Sequence, residues 1–558
     1  MVLYGSLFVK YLLIYLYFYL VGRGTVLIVN SIFFKLKKIP QYLLFTKSSI
    51  IFPALGMAVV GNVLIVLNYF FSLNSLVVTS ILILLLSSNF LKLQKKLIIN
   101  IENLVSYILF PSILLFSTFD IPFNYDAGYY HLLHQAWLRD SNLIFGMVNI
   151  FWPFGMSSIY EYLSALLWFD KTFVLLHFLN LIFIQIFYQF LFFQSLKSKF
   201  DSFKFISIFI LIYSIFDNFG FGGGRNGFLY IQGVGKQDIA VGVLFFLLSI
   251  YMITAIKNKE INSLDFMICS LLVLFIYEIK VSSLMIFPLF SAYMFTMINV
   301  NKLTLSKTLN YLSPSLFFGS LWFLKSILTT GCIIFPVNIT CIENFDWYVK
   351  NSTADYEGIT KFASYNYELG TSFAKWLEVT SSFEYRRTVF LNFIISLFMI
   401  YIIKSIFFNK KKNPLSFNIF IFSYLTINFL YLLFYGPIPR YAIGFCILTV
   451  SIFGFFVDSS KINIDKKLIY FLTIFSIAFV VRVNSYYSFL DFETFRLFDP
   501  RTNEEIYTEI GFRNFNDDWV IPNEGDQCWA NLKCSMAKAD VIIEDSFFKT
   551  AYRKLNSS

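Results

Sequence analysis

The chain has 558 residues, of which 57% are hydrophobic and only 14% charged, a balance that excludes an ordinary soluble domain of this length. The formal net charge of +10 comes from lysines in short clusters between apolar runs, so membrane topology and anionic headgroups account for it and nucleic acid is not an expected partner. These clusters are Lys35/Lys37/Lys38, Lys92/Lys95/Lys96, Lys197/Lys199/Lys204, Lys257/Lys259, Lys302/Lys307, Lys410/Lys411/Lys412 and Lys461/Lys466/Lys467. Basic loops stay cytoplasmic, which puts the segments 119–160, 217–238, 329–387 and everything after 484 on the far side.

Taken in chain order, apolar runs long enough to span a bilayer lie near 4–22, 48–71, 73–90, 103–119, 171–195, 205–220, 239–256, 264–279, 282–299, 309–328, 388–407, 416–435, 440–457 and 467–484. The expected fold is an all-α polytopic membrane protein with about 13–14 transmembrane helices, with outward loops and a small C-terminal extracytoplasmic cap. Residues 1–484 form its transmembrane domain and 485–558 the extracytoplasmic segment. The first run is interrupted by Lys10 and followed by Arg23, so a tilted or an interfacial helix both fit; it lacks a cleavage pattern. In 127–138, Tyr130, Leu133, Ala136 and Trp137 recur at helical spacing, which predicts an amphipathic helix lying on the membrane surface. Gly220–Gly227 reads as a flexible outward loop.

Cys269 and Cys446 fall inside apolar runs and read as small buried hydrophobes. Cys332 and Cys341, and Cys528 and Cys534, are close in sequence within outward segments, so proximity predicts two disulfides among the three connectivities that four cysteines allow.

The residues able to carry chemistry sit at the outer ends of the runs. Asp126, just past the fourth, is placed to act as a general base toward a sugar hydroxyl, with a pKa that partial desolvation tunes upward; the plainer alternative is a solvated loop acid or a helix cap. Asp238 opens the seventh run, Glu278 and Lys280 occupy a short turn, and Arg440 follows Gly436-Pro-Ile-Pro439. Lys280 and Arg440 suit a lipid-linked phosphate, or equally interfacial snorkelling. His131, Trp137 and Asn149 complete the candidate substrate-binding set with Asp238, Lys280 and Arg440. His131 and His134 stand at i, i+3, a weak zinc signal that would need Asp126 as third ligand. No Walker loop, Rossmann glycine pattern or nucleophile elbow is present. Asn338-Ile-Thr340 and Asn351-Ser-Thr353 are sequons.

Tyr125-Asp126 through His131, Trp137, Gly146…Asn149 and Gly155…Ser157 resemble the first outward segment of an uncharacterised bacterial family of polytopic membrane proteins. Gly331-Cys332-Ile-Ile-Phe-Pro336…Cys341…Trp347, Pro439-Arg440-Tyr441 and Asp526-Gln-Cys528-Trp529…Cys534 resemble further signatures of that family, from about residue 50 onward. The layout is similar to the GT-C glycosyltransferases. That resemblance implies an inverting membrane glycosyltransferase in the cytoplasmic (inner) membrane, its active face extracytoplasmic, using a polyprenyl-phosphate-linked sugar for surface polysaccharide or glycan assembly. It assigns Asp126 as base and Lys280 and Arg440 as phosphate contacts, with the lipid bilayer, the sugar donor and a glycan or glycolipid acceptor as partners. The chain lacks the DxD or DE pair of better-known branches, which leaves divalent-metal dependence open and implies no other cofactor. Two rivals share the layout: a polysaccharide polymerase or ligase working through Arg and His, and a glycolipid transporter or flippase without catalysis. The second is disfavoured by the few charges visible inside the apolar runs.

Overall fold

The computed structural model describes residues 2–34, 48–91, 100–120, 123–168, 173–197, 202–220, 231–348, 352–365, 394, 397–399, 401, 414–435, 439–455, 464–490, 510–515, 518–536, 541–546 and 548–553. The lysine clusters at 35–38, 92–96 and 410–412, the glycine-rich stretch 221–227, the loop 366–387 and most of the run 388–407 lie outside the described residues.

The chain is mostly helical. Among the described residues, six helices are long and apolar enough to cross a membrane: Tyr4–Phe34, Ile101–Phe119, Val174–Ser195, Asp238–Asn258, Val281–Asn301 and Leu415–Leu432. Lys466–Val480 and Val483–Leu490 would add a seventh if taken as one span, but they meet at 79°. This is the composition of a multi-pass membrane protein, and among the described residues the full-length spans are fewer than the sequence predicts for the chain. Phe52–Asn68, Leu76–Asn89, Ser202–Ile215 and Arg440–Ile452 are apolar helices shorter than a bilayer crossing. Leu305–Thr330 has the length, but Lys307, Asn310 and Lys325 dilute its apolar character.

The centre of the bundle is the helix Val174–Ser195, whose apolar stretch is wholly buried. A buried helix in apolar surroundings must satisfy its polar side chains within the protein. Tyr11 and Tyr15 hydroxyls donate to Gln185 Oε1 (2.6 Å) and Gln189 Oε1 (3.0 Å), and both glutamine amides donate to the Ser106 carbonyl (3.2 and 3.1 Å). Three helices are thereby locked in register.

Two close helix crossings depend on glycine. A Cβ at Gly22 would lie 2.0 Å from the Phe52 carbonyl oxygen, and one at Gly56 would lie 1.9 Å from that of Phe18, so the helices Val2–Val29 and Phe52–Asn68 touch backbone to backbone. The helices Asp238–Asn258 and Ile443–Ile452 meet likewise: a Cβ at Gly242 would fall 2.4 Å from Ile443 Cγ2, and one at Gly444 would fall 2.8 Å from the Gly242 carbonyl oxygen. One turn before these glycines stand Asp238 and Arg440.

The segment 127–138 corrects the expectation of a surface helix. It forms a π turn, Ala127–His131, running into the helix Leu132–Asp140, of which Leu132 to Leu138 are all buried. The C-terminal segment covers its Leu133 and Trp137 side. There, β1 (Phe512–Asn514) pairs antiparallel with β2 (Val520–Pro522), and β3 (Val541–Glu544) with β4 (Thr550–Arg553). Trp519, Cys528, Cys534 and Ala551 share a core with Leu133, Trp137, Ile150 and Phe154. Both expected disulfides form: Cys332–Cys341 with S–S 2.06 Å and Cys528–Cys534 with S–S 1.96 Å; Cys269 and Cys446 are free and buried.

The glycine crossings give a direct test. Gly444→Ala forces a methyl group against backbone and should cost about 1–3 kcal/mol of stability, read as a lowered thermal unfolding midpoint in detergent. Gly358→Ala, in the helix Ser352–Tyr365 with no neighbouring atom within 4 Å of the added Cβ, should be neutral or slightly stabilising.

Candidate functional site

Asp126 is brought to its partner by a local backbone device. Phe123 bridges to Val234, and Asn124 N–H donates to the Val234 carbonyl (3.0 Å), laying the segment 123–127 along 231–237. Gly235 has φ +84°, and a Cβ there would stand 2.8 Å from Ala127, so only glycine permits both this conformation and this approach. The next residue, Lys236, ion-pairs with Asp126. Asp126 stands at the entry to the π turn but makes no capping hydrogen bond there; its carboxylate is spent on the lysine. Burial pushes the Asp126 carboxyl up, but the Lys236 ammonium, helped by His131 and Arg440, outweighs it and holds the group below its ordinary value of 3.8. The upward tuning expected from sequence is thus reversed by a partner 110 residues away. Lys236 is itself pulled down, by burial first and then by Arg440, against the opposing Asp126 carboxylate.

Next to this pair lies a second one. Asp238, only 2% exposed, forms an ion pair with Lys280 and has Arg440 Nε at 3.9 Å. Gln232 braces it, with Nε2 donating to Asp238 Oδ2 (3.4 Å) while Oε1 accepts from Ile239 N–H (2.9 Å). The Tyr441 ring lies under both cations, 4.3 Å from Lys280 Nζ and 5.4 Å from Arg440 Cζ. Lys280 and Arg440 therefore do not snorkel singly; they converge on one carboxylate. Together Asp126, Lys236, Asp238, Lys280 and Arg440 hold two acids and three cations, drawn from four separate stretches of chain.

Behind the cluster, His131 Nδ1 pairs with Glu161 Oε1, and Gln135 Nε2 donates to Glu161 Oε2 (2.8 Å). Gln135 in turn accepts from Trp168 Nε1 (2.9 Å). Burial raises the Glu161 carboxyl, but His131 more than offsets it, so the group is held below its usual value and accepts as a carboxylate. A crevice of about 10 Å³, close to the room one water needs, touches His131, Glu161 and Lys236. His134 does not join His131: it stacks on Phe154 (5.3 Å between centroids), and burial pushes its pKa down to about 3. Among the described residues, no three His, Cys, Asp or Glu side chains come together to hold a metal ion.

Of the residues singled out from sequence, Asp126, Asp238, Lys280 and Arg440 come together, and His131 lies behind them. Trp137 and Asn149 are placed elsewhere. Trp137 packs in the core under the C-terminal segment, 6.5 Å from Trp519. The Asn149 amide donates to the carbonyls of Trp347 (2.8 Å) and Ala551 (2.9 Å), pinning three segments to one another. Lys236, Gln232, Tyr441 and Glu161 are the members that sequence reasoning missed. The glycine before Lys236 and the acid two residues after it were the available signal, since Gly-Lys-Gln-Asp at a helix start places two opposite charges within one turn. The C-terminal segment also reaches the site: Tyr125 donates to Asp526, Gln527 Nε2 donates to the Tyr125 carbonyl (3.1 Å), and Trp529 N–H donates to that of Gly128 (2.9 Å).

The chain belongs to the family described as a domain of unknown function (DUF8201), which matches residues 5–447 and so takes in every residue of the cluster. No curated protein matches the chain, and no solved structure does.

The Asp126–Lys236 pair has a pH signature. A carboxyl whose folded-state pKa lies below its unfolded value contributes stability that is present above 3.8 and lost as pH falls through the folded-state pKa. In Lys236→Gln the Asp126 pKa should rise, burial then acting unopposed by that ammonium. The acid-side loss of thermal stability should therefore be smaller than in the wild type when unfolding midpoints are measured from pH 6 to pH 3, because protonating Asp126 no longer costs the folded state an ion pair.

Proposed function

We propose that this chain is a membrane glycosyltransferase of GT-C-like layout, transferring a sugar from a polyprenyl-phosphate-linked donor to a glycan or glycolipid acceptor in surface polysaccharide or glycan assembly. The reaction is placed on the extracytoplasmic side of the cytoplasmic membrane, the side opposite the lysine clusters. The observation that carries this reading is the cluster itself: three cations against two carboxylates, at the helix ends where a lipid-borne phosphate would lie. The excess positive charge suits one anionic group, and arginine offers it two parallel donors.

In this reading the donor phosphate takes up Lys236, Lys280 and Arg440. Engaging Lys236 loosens its hold on Asp126, whose pKa then rises toward the range of a working base. The acceptor hydroxyl oxygen attacks the anomeric carbon in line as the bond from that carbon to the phosphate oxygen breaks. The hydroxyl proton passes to Asp126, and the electron pair leaves with polyprenyl phosphate, whose charge the cations offset. Substitution at one face of the anomeric carbon inverts its configuration.

One observation favours a second reading, glycolipid transport without catalysis. Glu278 (1% exposed) and Lys325 (3% exposed) are ionisable groups buried within helices, and such groups often mark transport paths. Glu278 Oε2 accepts from Asn62 (2.9 Å), while its Oε1 has no hydrogen-bond partner among the described residues. The fold thus buries one ionisable group near the end of the helix Ser263–Ile279 and one inside Leu305–Thr330.

The two readings separate by mutation. In a strain whose only copy carries Asp126→Asn at normal membrane levels, surface glycan should fall at least about a hundredfold, the usual size of a lost general base. Arg440→Ala should give a comparable loss, and Glu278→Gln should leave the glycan largely intact. Normal glycan in Asp126→Asn with loss in Glu278→Gln would replace the enzyme reading with the transport one.

A further inference from the structure

The helix Leu305–Thr330 has 26 residues and so a length of about 39 Å, against a bilayer core of about 30 Å. Leu309, Leu316, Phe317 and Leu324 lie on one face of it and are 42–59% exposed, an apolar surface suited to lipid. Lys302 and Lys307 mark its start as the cytoplasmic end, so its other end reaches the extracytoplasmic leaflet. There Gly331 (φ +80°) stops the helix and turns the chain into a loop that the Cys332–Cys341 disulfide closes. Aliphatic side chains crowd the outside of this loop. Ile339 is 93% exposed, and Ile333, Val337 and Ile342 are 37–41% exposed. Single exposed apolar residues are ordinary on a protein surface, but this many along so short a loop form a patch. On the inner side Cys332 and Phe335 pack with Val148 and against Trp152, in the segment that also holds Asn149.

We infer that the Cys332–Cys341 loop dips into the outer leaflet as an apolar anchor, its partner the acyl-chain boundary of the bilayer. Non-helical backbone enters apolar surroundings only where its polar groups are satisfied within the protein. Here the N–H groups of Ile333, Val337, Thr340, Cys341 and Ile342 donate to carbonyls of the same stretch (2.8–3.1 Å). The Thr340 hydroxyl turns inward too, accepting from Ile334 N–H (3.1 Å) and donating to the Val337 carbonyl (2.8 Å). Asn338 N–H donates to Glu357 Oε2 (3.0 Å). No charged residue lies between Gly331 and Cys341, so no ion has to be stripped of water. The disulfide fastens both ends of the loop, and insertion therefore orders little further chain. Lipid is the fitting partner because the patch continues the exposed apolar face of Leu305–Thr330 past its last turn. Ile339, left in water, would forgo the transfer free energy that the leaflet returns. The inference rests on the membrane character of the chain alone and survives failure of the proposed glycosyl transfer.

To test it, the polarity-sensitive fluorophore NBD is attached to Ile339→Cys in the full-length protein, reconstituted in phosphatidylcholine vesicles. Mass spectrometry of non-reduced peptides verifies that Cys332 and Cys341 remain linked. A nitroxide near the top of the lipid acyl chain should quench this label at least about twofold, while iodide in the water leaves it untouched. The same label on Glu524→Cys, exposed in the C-terminal segment, should show the reverse. Ile339→Trp adds no cysteine and covers the case in which the first variant mispairs its thiols. Brominated phosphatidylcholine should quench more tryptophan fluorescence in that variant than in the wild type. Quenching at position 339 by iodide and not by the nitroxide lipid would place the loop in water. Protection from both quenchers would give it a protein partner. Either result overturns the inference, as does equal tryptophan quenching in Ile339→Trp and wild type.

Discussion

A carboxylate almost wholly removed from water must be matched by cations and hydrogen-bond donors, and Asp238 is matched from three places at once. Lys280 reaches it from the turn after the helix Ser263–Ile279, Arg440 from the turn before Ile443–Ile452, and Gln232 from the segment that also presents Lys236 to Asp126. Removing that one negative charge would leave two cations facing each other in a confined space. Chain stretches 200 residues apart are held at one helix end because this charge has to be answered.

The close crossing at Gly242 and Gly444 is what lets it be answered. With side chains at these positions the two helices would stand further apart, and Arg440 would lose its reach. The C-terminal segment contributes on the other side: held by Cys528–Cys534, it bonds to Tyr125 and Gly128 on either side of Asp126. Asp126 therefore sits between a close helix crossing and a cover hydrogen-bonded to the chain on either side of it. Such an arrangement fixes the geometry of the charged groups.

Much of the site is latent in the sequence as separate polar residues at the ends of apolar runs. Asp126, Asp238, Lys280 and Arg440 stand out because charge at such positions is unfavourable without a reason. Their pairing is another matter. That Asp126 meets Lys236 and is driven down in pKa, and not up, follows from Gly235 pressing against Ala127, a contact over 100 residues that periodicity does not encode. Asn149 and Trp137 look like binding residues for the same reason that the segment 127–138 looks like a surface helix: polar and aromatic groups in a predicted outward loop read as exposed until something is known to cover them. What covers them is the C-terminal segment.

The sequence by itself determined the helical character of the chain, the succession of apolar runs and the two disulfides, because hydrophobic run length and short-range cysteine spacing are local properties. It could not determine how many runs become full spans, since bends such as the 79° break after Val480 and the shortening of Phe52–Asn68 are set by packing against neighbours. Nor could it decide which charges meet. Only the tertiary structure joins Asp126 to Lys236 and Asp238 to Lys280 and Arg440, because the energy of a buried ion pair depends on distance and desolvation, and both exist only once the helices have packed.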